Sequence, residues 1–478
     1  MAKLLGIDVG TSGARALLID EAGRVLRQSS AAYPISTPRP LWSEQNPEDW
    51  WQGVCRCIEA IGERQVDAIG ITGQMHGSVF LDARDEVIRP AILWNDQRTA
   101  AECAEIDAAV GRDKVRQITC NPPLTGFQLP KILWLRNHEL SGYQRLRSVL
   151  LPKDFIRFKL TGVKATEHSD ASGVGLLDVP NRTWSGEMMG LLELDPSLFP
   201  PTFESEEPTG QTRATSGIEA GIPVVGGGGD QAAAGVGTGA VAEGILSVSL
   251  GTSGVVFTAL DEPLYDPNSS VHTFCHANGK WHAMGVMLAC GGALRWFRDT
   301  FHPGKSYDEV AELAAGAPPG CEGLTFLPYL TGERCPHNDP AATAAFAGLT
   351  LGHGPAHLAR SVFEGISFGL VEANRELTKL GAAVREIRVT GGGAKSPFWL
   401  QMLADLLDSP CVIPEVDEGP AYGAAILAGA GIGLWPSVES ACADVVRFQG
   451  VTHPQGTEYW ECQGRFADLY ASIRDWKH

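Results

Sequence analysis

Two aspartates stand where a carboxylate could do chemistry beside a glycine-rich turn, and Asp8 is the first. It follows the apolar run at 4–7 and precedes a Gly-Thr-Ser-Gly turn at 10–13. A carboxylate at the end of a buried strand can hold Mg²⁺ directly or through its water ligands. It can also simply cap its own turn. Asp8 is therefore a candidate metal ligand.

Asp230 is the second aspartate, and its position suits a general base. It follows four glycines at 226–229 and precedes Gln-Ala-Ala-Ala, which is typical of a helix start. As the N-cap of that helix, its carboxylate is expected to stay ionised near the positive helix end. An ionised carboxylate can take the proton of an alcohol while the oxygen attacks a phosphorus atom. A plain capping role fits the same position, and the two roles are compatible.

The Gly-Thr-Ser-Gly turn occurs twice, at 10–13 and again at 251–254, each time between two apolar segments that predict strands. Backbone N–H groups in a tight turn converge on an anion, and hydroxyl groups add donors. Ordinary hairpin turns have the same composition. The repeat favours two related halves, each presenting one phosphate-binding hairpin. The candidate nucleotide-binding residues in these turns are Thr11, Ser12, Gly251 and Thr252.

A third glycine-rich turn completes the set of candidate phosphate contacts. Gly391, Gly392 and Gly393 follow a predicted strand and precede a predicted helix, with Ser396 as N-cap and Pro397 in the first turn. Glycines between a strand and a helix allow a nucleotide to lie close to the backbone. These three glycines are therefore also predicted to bind the nucleotide.

A possible substrate pocket lies at the end of another predicted strand, 68–72. The tetrapeptide Gln-Met-His-Gly follows it and offers an apolar contact, Met75, and a hydrogen-bonding ring, His76. Trp94 is a further candidate for the same pocket. A buried histidine that is merely hydrogen-bonded within the fold is the alternative for His76.

The elements that must position these groups alternate between strands and helices, which predicts an α/β protein. A strand hairpin opens the chain, and a helix over 46–64 follows, with Asn46 as N-cap and Pro47 at the first helical position. The segment 231–244 is rich in Ala and Gly and is expected to form a flexible joint. This places two domains at 1–244 and 245–478.

Bulk composition narrows the function classes. The net charge of -18 disfavours nucleic acid and anionic membranes as partners. The 11 cysteines are scattered without a CxxC pair, which favours a reduced, cytoplasmic chain over a zinc site. The apolar start is too short for a signal segment, and no stretch approaches a membrane span. Neither a GxxxxGK[ST] loop nor the HRD and DFG motifs of protein kinases are present.

Taken in order, the motifs resemble the FGGY family of carbohydrate kinases over nearly the whole chain. Further segments carry the resemblance: AILWNDQR at 91–98, GFQLPKILWL at 126–135, LPKDFIRFKLTG at 151–162, SDASG at 169–173, LPYLTGERCPHNDPAA at 327–342 and FEGISFGL at 363–370. The resemblance implies two ribonuclease-H-like domains of the actin and hexokinase type, with the active site in the cleft between them. It also implies phosphorylation of a sugar by ATP with Mg²⁺.

Residue roles follow from the matching positions. The resemblance implies Asp230 as catalytic base in contact with the sugar, and Asp8 as a second catalytic residue near the metal. Met75, His76, Trp94 and Asp96 are implied to lie around the sugar. The Gln-Met-His triplet favours D-xylulose, since glycerol kinases carry Gln-Arg-Glu there. Cys335 departs from the threonine usual after Gly-Glu-Arg, and the loop 331–342 has no predicted role.

Other readings of the same motifs remain open at this point. The chain could phosphorylate another ketose or polyol, such as ribulose, fuculose or glycerol. It could also be an actin-like ATPase that polymerises, or a sugar-binding regulator without catalysis, although both aspartates argue against the latter. A homodimer is expected because dimers are common in the family.

Overall fold

The apolar segments that flank the two Gly-Thr-Ser-Gly turns form the central hairpins of two seven-stranded sheets. The computed structural model describes residues 2–214, 217–268 and 270–476. Within these ranges the strands are β1 Lys3–Val9, β2 Gly13–Asp20, β3 Val25–Ala32, β4 Glu44–Gln45, β5 Ala68–Gly73, β6 Val79–Leu81, β7 Ala91–Ile92, β8 Ser148–Leu150, β9 Thr166–Glu167, β10 Leu177–Asp178, β11 Thr183–Trp184, β12 Thr202–Phe203, β13 Pro208–Gln211, β14 Pro223–Val225, β15 Gly228–Gly229, β16 Gly244–Leu250, β17 Gly254–Leu260, β18 His272–Cys275, β19 Trp281–Met287, β20 Thr325–Leu327, β21 Ala345–Ala347, β22 Val384–Thr390, β23 Cys411–Pro414 and β24 Phe448–Thr452.

Helices cover both sheets and fill the connections between strands. They are α1 Pro47–Ile61, α2 Ala100–Val110, α3 Arg112–Thr119, α4 Gln128–His138, α5 Leu140–Arg145, α6 Pro152–Thr161, α7 His168–Ser172, α8 Gly186–Leu191, α9 Asp230–Gly237, α10 Gly291–Phe301, α11 Tyr307–Ala315, α12 Pro355–Lys379, α13 Pro397–Leu407, α14 Gly419–Gly431, α15 Val438–Val445 and α16 Trp460–Ile473. In the part of the chain that the structure covers, no helix is both long and apolar enough to cross a membrane.

The two sheets repeat one strand order, which confirms the internal repeat and the α/β fold class. The first runs β13-β14-β5-β1-β2-β3, and β15 also pairs with β5. Read in the same direction, the second runs β24-β23-β22-β16-β17-β19-β18, so that β22, β16 and β17 correspond to β5, β1 and β2. In each sheet, one strand of the Gly-Thr-Ser-Gly hairpin has a parallel neighbour on its other side, β5 for β1 and β22 for β16. Each turn therefore lies at the same end of its sheet as the carboxyl end of that parallel neighbour.

Helix ends follow the local sequence signals. The side chain of Asn46 accepts a hydrogen bond from Glu48 N at 3.1 Å, with Pro47 at the first position of α1. The side chain of Ser396 accepts from Trp399 N at 3.4 Å at the start of α13. Both predicted caps are confirmed, because a side-chain oxygen satisfies an amide that has no carbonyl partner inside the helix.

Small residues bring two helices together between the sheets. A Cβ on Gly423 of α14 would lie 1.8 Å from Ala233 O of α9, and one on Gly237 would lie 2.0 Å from Gly419 O. Helix α14 also covers the first sheet, where a Cβ on Gly6 would lie 1.9 Å from Ala421 O. The small residues of α9, which lie in the Ala- and Gly-rich segment 231–244, thus permit close backbone packing against α14.

Candidate active site

Strand pairing places the two aspartates near the same end of β5, one on each side of it. Asp8 is opposite Thr72 in the β1–β5 ladder, and Gly228 is opposite the same Thr72 in the β15–β5 ladder. Asp230 comes two residues after Gly228 and begins α9. Burial, followed by the negative charge of Asp230, raises the pKa of Asp8 to about 7. The two carboxylates that the sequence singled out therefore belong to one site.

The predicted N-cap role of Asp230 is wrong. Gly229 occupies the N-cap position, and Asp230 is the first helical residue. Burial raises the pKa of Asp230 to about 6, while hydrogen bonds from Gln231 act in the opposite direction. The helix terminus thus does not keep the carboxyl strongly acidic. A carboxylate with this pKa is ionised at neutral pH yet basic enough to accept a proton in a reaction.

Asp8 fits a divalent cation. Its Oδ1 atom is buried and has no hydrogen-bond partner in the described part of the chain. Across residues 2–214, 217–268 and 270–476, no group of three or more His, Cys, Asp or Glu side chains is arranged to hold a metal. A single carboxylate beside a phosphate site is a typical protein contribution for Mg²⁺, which keeps waters and binds phosphate oxygens as its other ligands.

Side chains from distant segments donate hydrogen bonds to the backbone carbonyl groups of the first Gly-Thr-Ser-Gly turn. Tyr33 Oη donates to Gly10 O at 2.5 Å, and Gln45 Nε2 donates to Thr11 O at 2.8 Å. Gln74 Nε2 also reaches Gly10 O, at 3.4 Å. The carbonyl groups of the turn are thus fixed. The amides of Thr11 and Ser12 have no hydrogen-bond acceptor among the described residues, so they are available to an anion.

Backbone amides hold the second turn. Gly291 N donates to Gly251 O at 2.8 Å, while Cys290 N and Gly292 N both donate to Thr252 O at 3.0 Å. The close approach requires glycine, because a Cβ on Gly291 would lie 2.6 Å from Gly251 O. The start of α10 therefore sets the position of Gly251 and Thr252.

A cavity of about 250 Å³ connects the second turn with the third glycine run. Gly391 has a φ of 82° and lies against the end of β16, where a Cβ would be 2.8 Å from Leu250 O. The cavity is lined by residues that include Gly251, Thr252, Leu294, Phe363, Gly392, Gly393 and Trp399. The structure thus brings four of the predicted nucleotide contacts to one cavity, and the fifth, Gly391, packs against the strand that leads into the second turn.

A second cavity of about 220 Å³ lies between α9 and the second sheet. Its lining includes Gln231, the residue after Asp230, and Gly391, the first of the third glycine run. Ser249, Thr390 and Asp417 line it as well. Open space therefore extends from the neighbourhood of Asp230 toward the glycines of the second half.

His76 is held as a neutral ring. Its Nδ1 lies 2.6 Å from Gly173 O, and its ring stacks on Phe127 with centroids 4.7 Å apart. Burial, with the charges of Lys131 and Arg334, lowers its pKa to about 3, although the hydrogen bond to Gly173 acts in the opposite direction. Because a carbonyl can only accept, Nδ1 carries the proton and Nε2 is left as a hydrogen-bond acceptor. That tautomer suits recognition of a hydroxyl group.

Met75 lies next to the backbone that leads to Asp230. A Cβ on Gly229 would be 3.0 Å from Met75 Sδ, and a Cβ on Gly173 would be 2.8 Å from Met75 Cε. The structure therefore brings Met75, His76 and the segment before Asp230 together, as the sequence predicted for one pocket.

Trp94 and Asp96 occupy different settings. Trp94 is 41% exposed, and its Nε1 donates to Thr11 Oγ1 at 2.9 Å, which links it to the first turn. Asp96 is fully buried, and both carboxylate oxygens accept hydrogen bonds within the protein, from Ser43 N at 2.7 Å and from Arg98. The Asp96 carboxylate thus binds within its own neighbourhood, and its charge acts on Lys131, the lysine that donates to His76 O.

Several supporting residues escaped the sequence reasoning. Lys131, fully buried, donates to His76 O at 2.8 Å and to Gly126 O at 2.6 Å. His76 has a φ of 67°, so this lysine helps to hold an unfavourable backbone conformation. A lysine inside the apolar run 128–135 was the available signal. Arg334, in the loop without a predicted role, acts electrostatically on His76 and His272, which places that loop near the pocket.

Comparison with known proteins agrees with this geometry. Residues 3–237 match the N-terminal domain model of the FGGY family of carbohydrate kinases, and 246–432 match its C-terminal domain model. The chain is 43% identical over 436 residues to a xylulose kinase of Escherichia coli, covering 89% of each protein. It is 30% identical over 443 residues to a gluconokinase of Bacillus subtilis, covering 89% of this chain and 86% of that protein.

A solved structure extends the likeness to three dimensions. A crystal structure from Brucella ovis, described as that of a xyloylose kinase, superposes with a TM-score of 0.93 at 36% identity, covering 99% of this chain and 100% of that one. Together with the repeated strand order, this match confirms the predicted two-domain fold of the actin and hexokinase type.

Proposed function

Because the chain belongs to the FGGY family of carbohydrate kinases, we propose that it transfers the γ-phosphoryl group of ATP to D-xylulose, giving D-xylulose 5-phosphate and ADP. The observation that carries the proposal is the buried Asp230 carboxylate, which directly follows Gly229, the residue whose backbone lies against Met75 in the pocket that also holds His76. The xylulose kinase of E. coli, 43% identical, supports the choice of sugar.

Asp230 acts as the general base. Its carboxylate takes the proton of the terminal hydroxyl, whose oxygen forms a bond to the γ-phosphorus while the bond from that phosphorus to the β-phosphate oxygen breaks. Holding the two reactants in line could contribute roughly 7–11 kcal/mol to lowering the barrier. Closing the site around the sugar also keeps water from accepting the phosphoryl group.

Neutral His76 accepts a hydrogen bond from a sugar hydroxyl through Nε2, and Met75 supplies an apolar contact beside it. Trp94, tied to Thr11 Oγ1 at 2.9 Å, borders the same space. The role of Asp96 in sugar binding is indirect, because its carboxylate fixes the segment 94–98 through Arg98 and Ser43.

ATP lies with its phosphates against the amides of the two Gly-Thr-Ser-Gly turns and the glycines at 391–393. The 250 Å³ cavity, lined in part by Leu294, Phe363 and Trp399, suits the adenine ring. Asp8 would hold Mg²⁺, with its buried Oδ1 as the free ligand atom. The ion supplies positive charge that neutralises the phosphate oxygens during transfer.

Three further assignments belong to the proposal. The division between the two domains falls at 244/245, just where β16 begins. The enzyme works in the cytoplasm, and it forms a homodimer. Sedimentation of the purified protein tests the last assignment, since a monomer at micromolar concentration would contradict it.

The function is tested by ADP release coupled to NADH oxidation, with MgATP and D-xylulose, D-ribulose, L-ribulose, L-fuculose, glycerol, gluconate or no sugar. We expect a strong preference for D-xylulose. Asp230→Ala should lose about 10²–10⁴-fold in kcat while still binding ATP. Turnover of only a different sugar from this panel would leave the mechanism intact and overturn the assignment of D-xylulose as substrate.

A second candidate function is phosphorylation of a different sugar or sugar acid on the same fold. The 30% identity to a gluconokinase favours including gluconate in the panel. An actin-like ATPase without a sugar substrate would instead release ADP equally with and without sugar and would form filaments on addition of ATP.

A further inference from the structure

The short helix α7 and the glycine that follows it contact three parts of the proposed site. Ser169 Oγ accepts a hydrogen bond from Gly229 N at 3.1 Å, directly before Asp230. Gly173 O accepts from His76 Nδ1 at 2.6 Å. Ser172 Oγ accepts from Cys275 N of the second sheet at 3.2 Å. The six residues 168–173 thus contact the base segment, the sugar pocket and the other half of the molecule.

Buried charges fix the position of α7. The Glu167 carboxylate accepts hydrogen bonds from Ser169 N at 2.6 Å and Asp170 N at 2.9 Å. Lys153 Nζ lies 3.3 Å from Glu167 and 3.7 Å from Asp170, and these three side chains are 0–1% exposed. Breaking one member of a buried ion network is costly, because the remaining charge has no other partner. Helix α7 is therefore a firm support.

The Gly229 peptide lies between that support and the sugar pocket. A Cβ on Gly229 would be 3.0 Å from Met75 Sδ on one side, while its amide is bonded to Ser169 on the other. Ser169 is fully buried, so water cannot replace its hydroxyl as acceptor. Rotation of this peptide would turn the first residue of α9, and with it the carboxylate of Asp230.

We propose that Ser169 is a positioning residue for Asp230, whose hydroxyl fixes the Gly229 peptide and so aims the carboxylate at the sugar hydroxyl. The catalytic consequence rests on the proposed function. Positioning requires the bond to Gly229. A purely structural serine would instead affect stability without affecting the orientation of the base.

The test compares Ser169→Ala with Ser172→Ala, since both remove a fully buried hydroxyl from the same helix. With the sugar that the wild type phosphorylates best, S169A should lower kcat by about 10- to 100-fold, with both KM values within about twofold, because a small misplacement of a reacting group is costly. S172A should keep kcat within about threefold at a similar loss of Tm. Equal kcat losses in the two variants would overturn the proposal.

A second readout does not depend on the substrate. Amide hydrogen exchange of the peptide 226–232 should be faster in S169A than in the wild type and unchanged in S172A. If the wild type phosphorylates no sugar, the proposed function fails, and exchange still decides whether Ser169 fixes Gly229. Unchanged exchange in S169A overturns the positioning role, and faster exchange with a wild-type kcat overturns its catalytic consequence.

Discussion

The two Gly-Thr-Ser-Gly turns share four residues and a strand–turn–strand setting, yet the protein holds and uses them differently. Side chains from Tyr33, Gln45 and Gln74 bind the first turn, whereas backbone amides of residues 290–292 bind the second. In both turns, backbone carbonyl groups are occupied by hydrogen bonds from other segments, which leaves a glycine-rich turn of the kind whose amides can bind an anion.

The residue two positions before each turn separates their chemistry. The first turn has Asp8 there and the second has Ser249. Of these two flanking side chains, only Asp8 is a carboxylate, and the negative charge of Asp230 acts on it. On the proposed function, the repeated backbone motif would duplicate phosphate binding, and this carboxylate would make the first turn the reactive one.

The largest expected effect comes from exchanging that flanking residue. Asp8→Asn should lower kcat by about 10³-fold, because a fixed charge at the reacting phosphate is lost. Ser249→Ala, the same position in the second hairpin, should lower kcat by less than about tenfold, as it removes only a neutral hydroxyl. Steady-state kinetics with saturating MgATP measure both, and similar losses would show that the halves share the chemistry equally.

The next largest effect is expected from disturbing the backbone hydrogen bonds between residues 290–292 and the second turn. Gly291→Ala would place a Cβ 2.6 Å from Gly251 O, which must displace the turn. We expect the KM for ATP to rise about tenfold, equivalent to ~1.4 kcal/mol, with the KM for sugar unchanged. Gly292→Ala is the matched control, since its Cβ would meet Thr252 O at 3.1 Å. A selective rise in the KM for sugar would contradict the assignment of this turn to the nucleotide.

The pH dependence should come from the first half alone. The pKa of Asp230 is raised from 3.8 to about 6, so the carboxyl is protonated below that pH and can no longer accept a proton. Asp8, whose pKa is raised to about 7, titrates in the same range, so we expect kcat/KM to start falling below roughly pH 7 and to fall more steeply than tenfold per pH unit below roughly pH 6. Ser249→Ala should leave this acid limb in place. A limb near pH 4 would mean that Asp230 titrates as an ordinary carboxyl and that its burial does not matter.

The smallest expected effect concerns a side-chain bond at the edge of the first turn. Trp94→Phe removes the Nε1–Thr11 Oγ1 hydrogen bond but keeps an aromatic ring, and Trp94 is 41% exposed. Water can replace a bond at such a position, so kcat/KM should fall only about two- to threefold. Gln45→Ala, at a buried residue, should lower it more. A reversed order would mean that Trp94 itself binds the sugar strongly.

Much of this protein's secondary structure could be predicted from short stretches of its sequence. Apolar runs ending in Gly-Thr-Ser-Gly fixed two hairpins and their repeat, and Asn46-Pro47 and Ser396-Pro397 marked helix starts, because capping and turn geometry depend on a few adjacent residues. The candidate aspartates and glycine runs could be named for the same reason. Each of them combines a functional group with a local backbone conformation.

What only the tertiary structure decided depends on residues far apart in sequence. Asp8 and Asp230 come together because β1 and β15 both pair with β5. Gln45, Lys131 and Ser169 make hydrogen bonds to residues that are dozens of positions away in the sequence. The small residues of α9 form a packing surface for α14 that the sequence did not indicate, because closeness of two backbones is a property of both helices. The pKa of Asp230 could not be derived either, since burial is set by the whole fold.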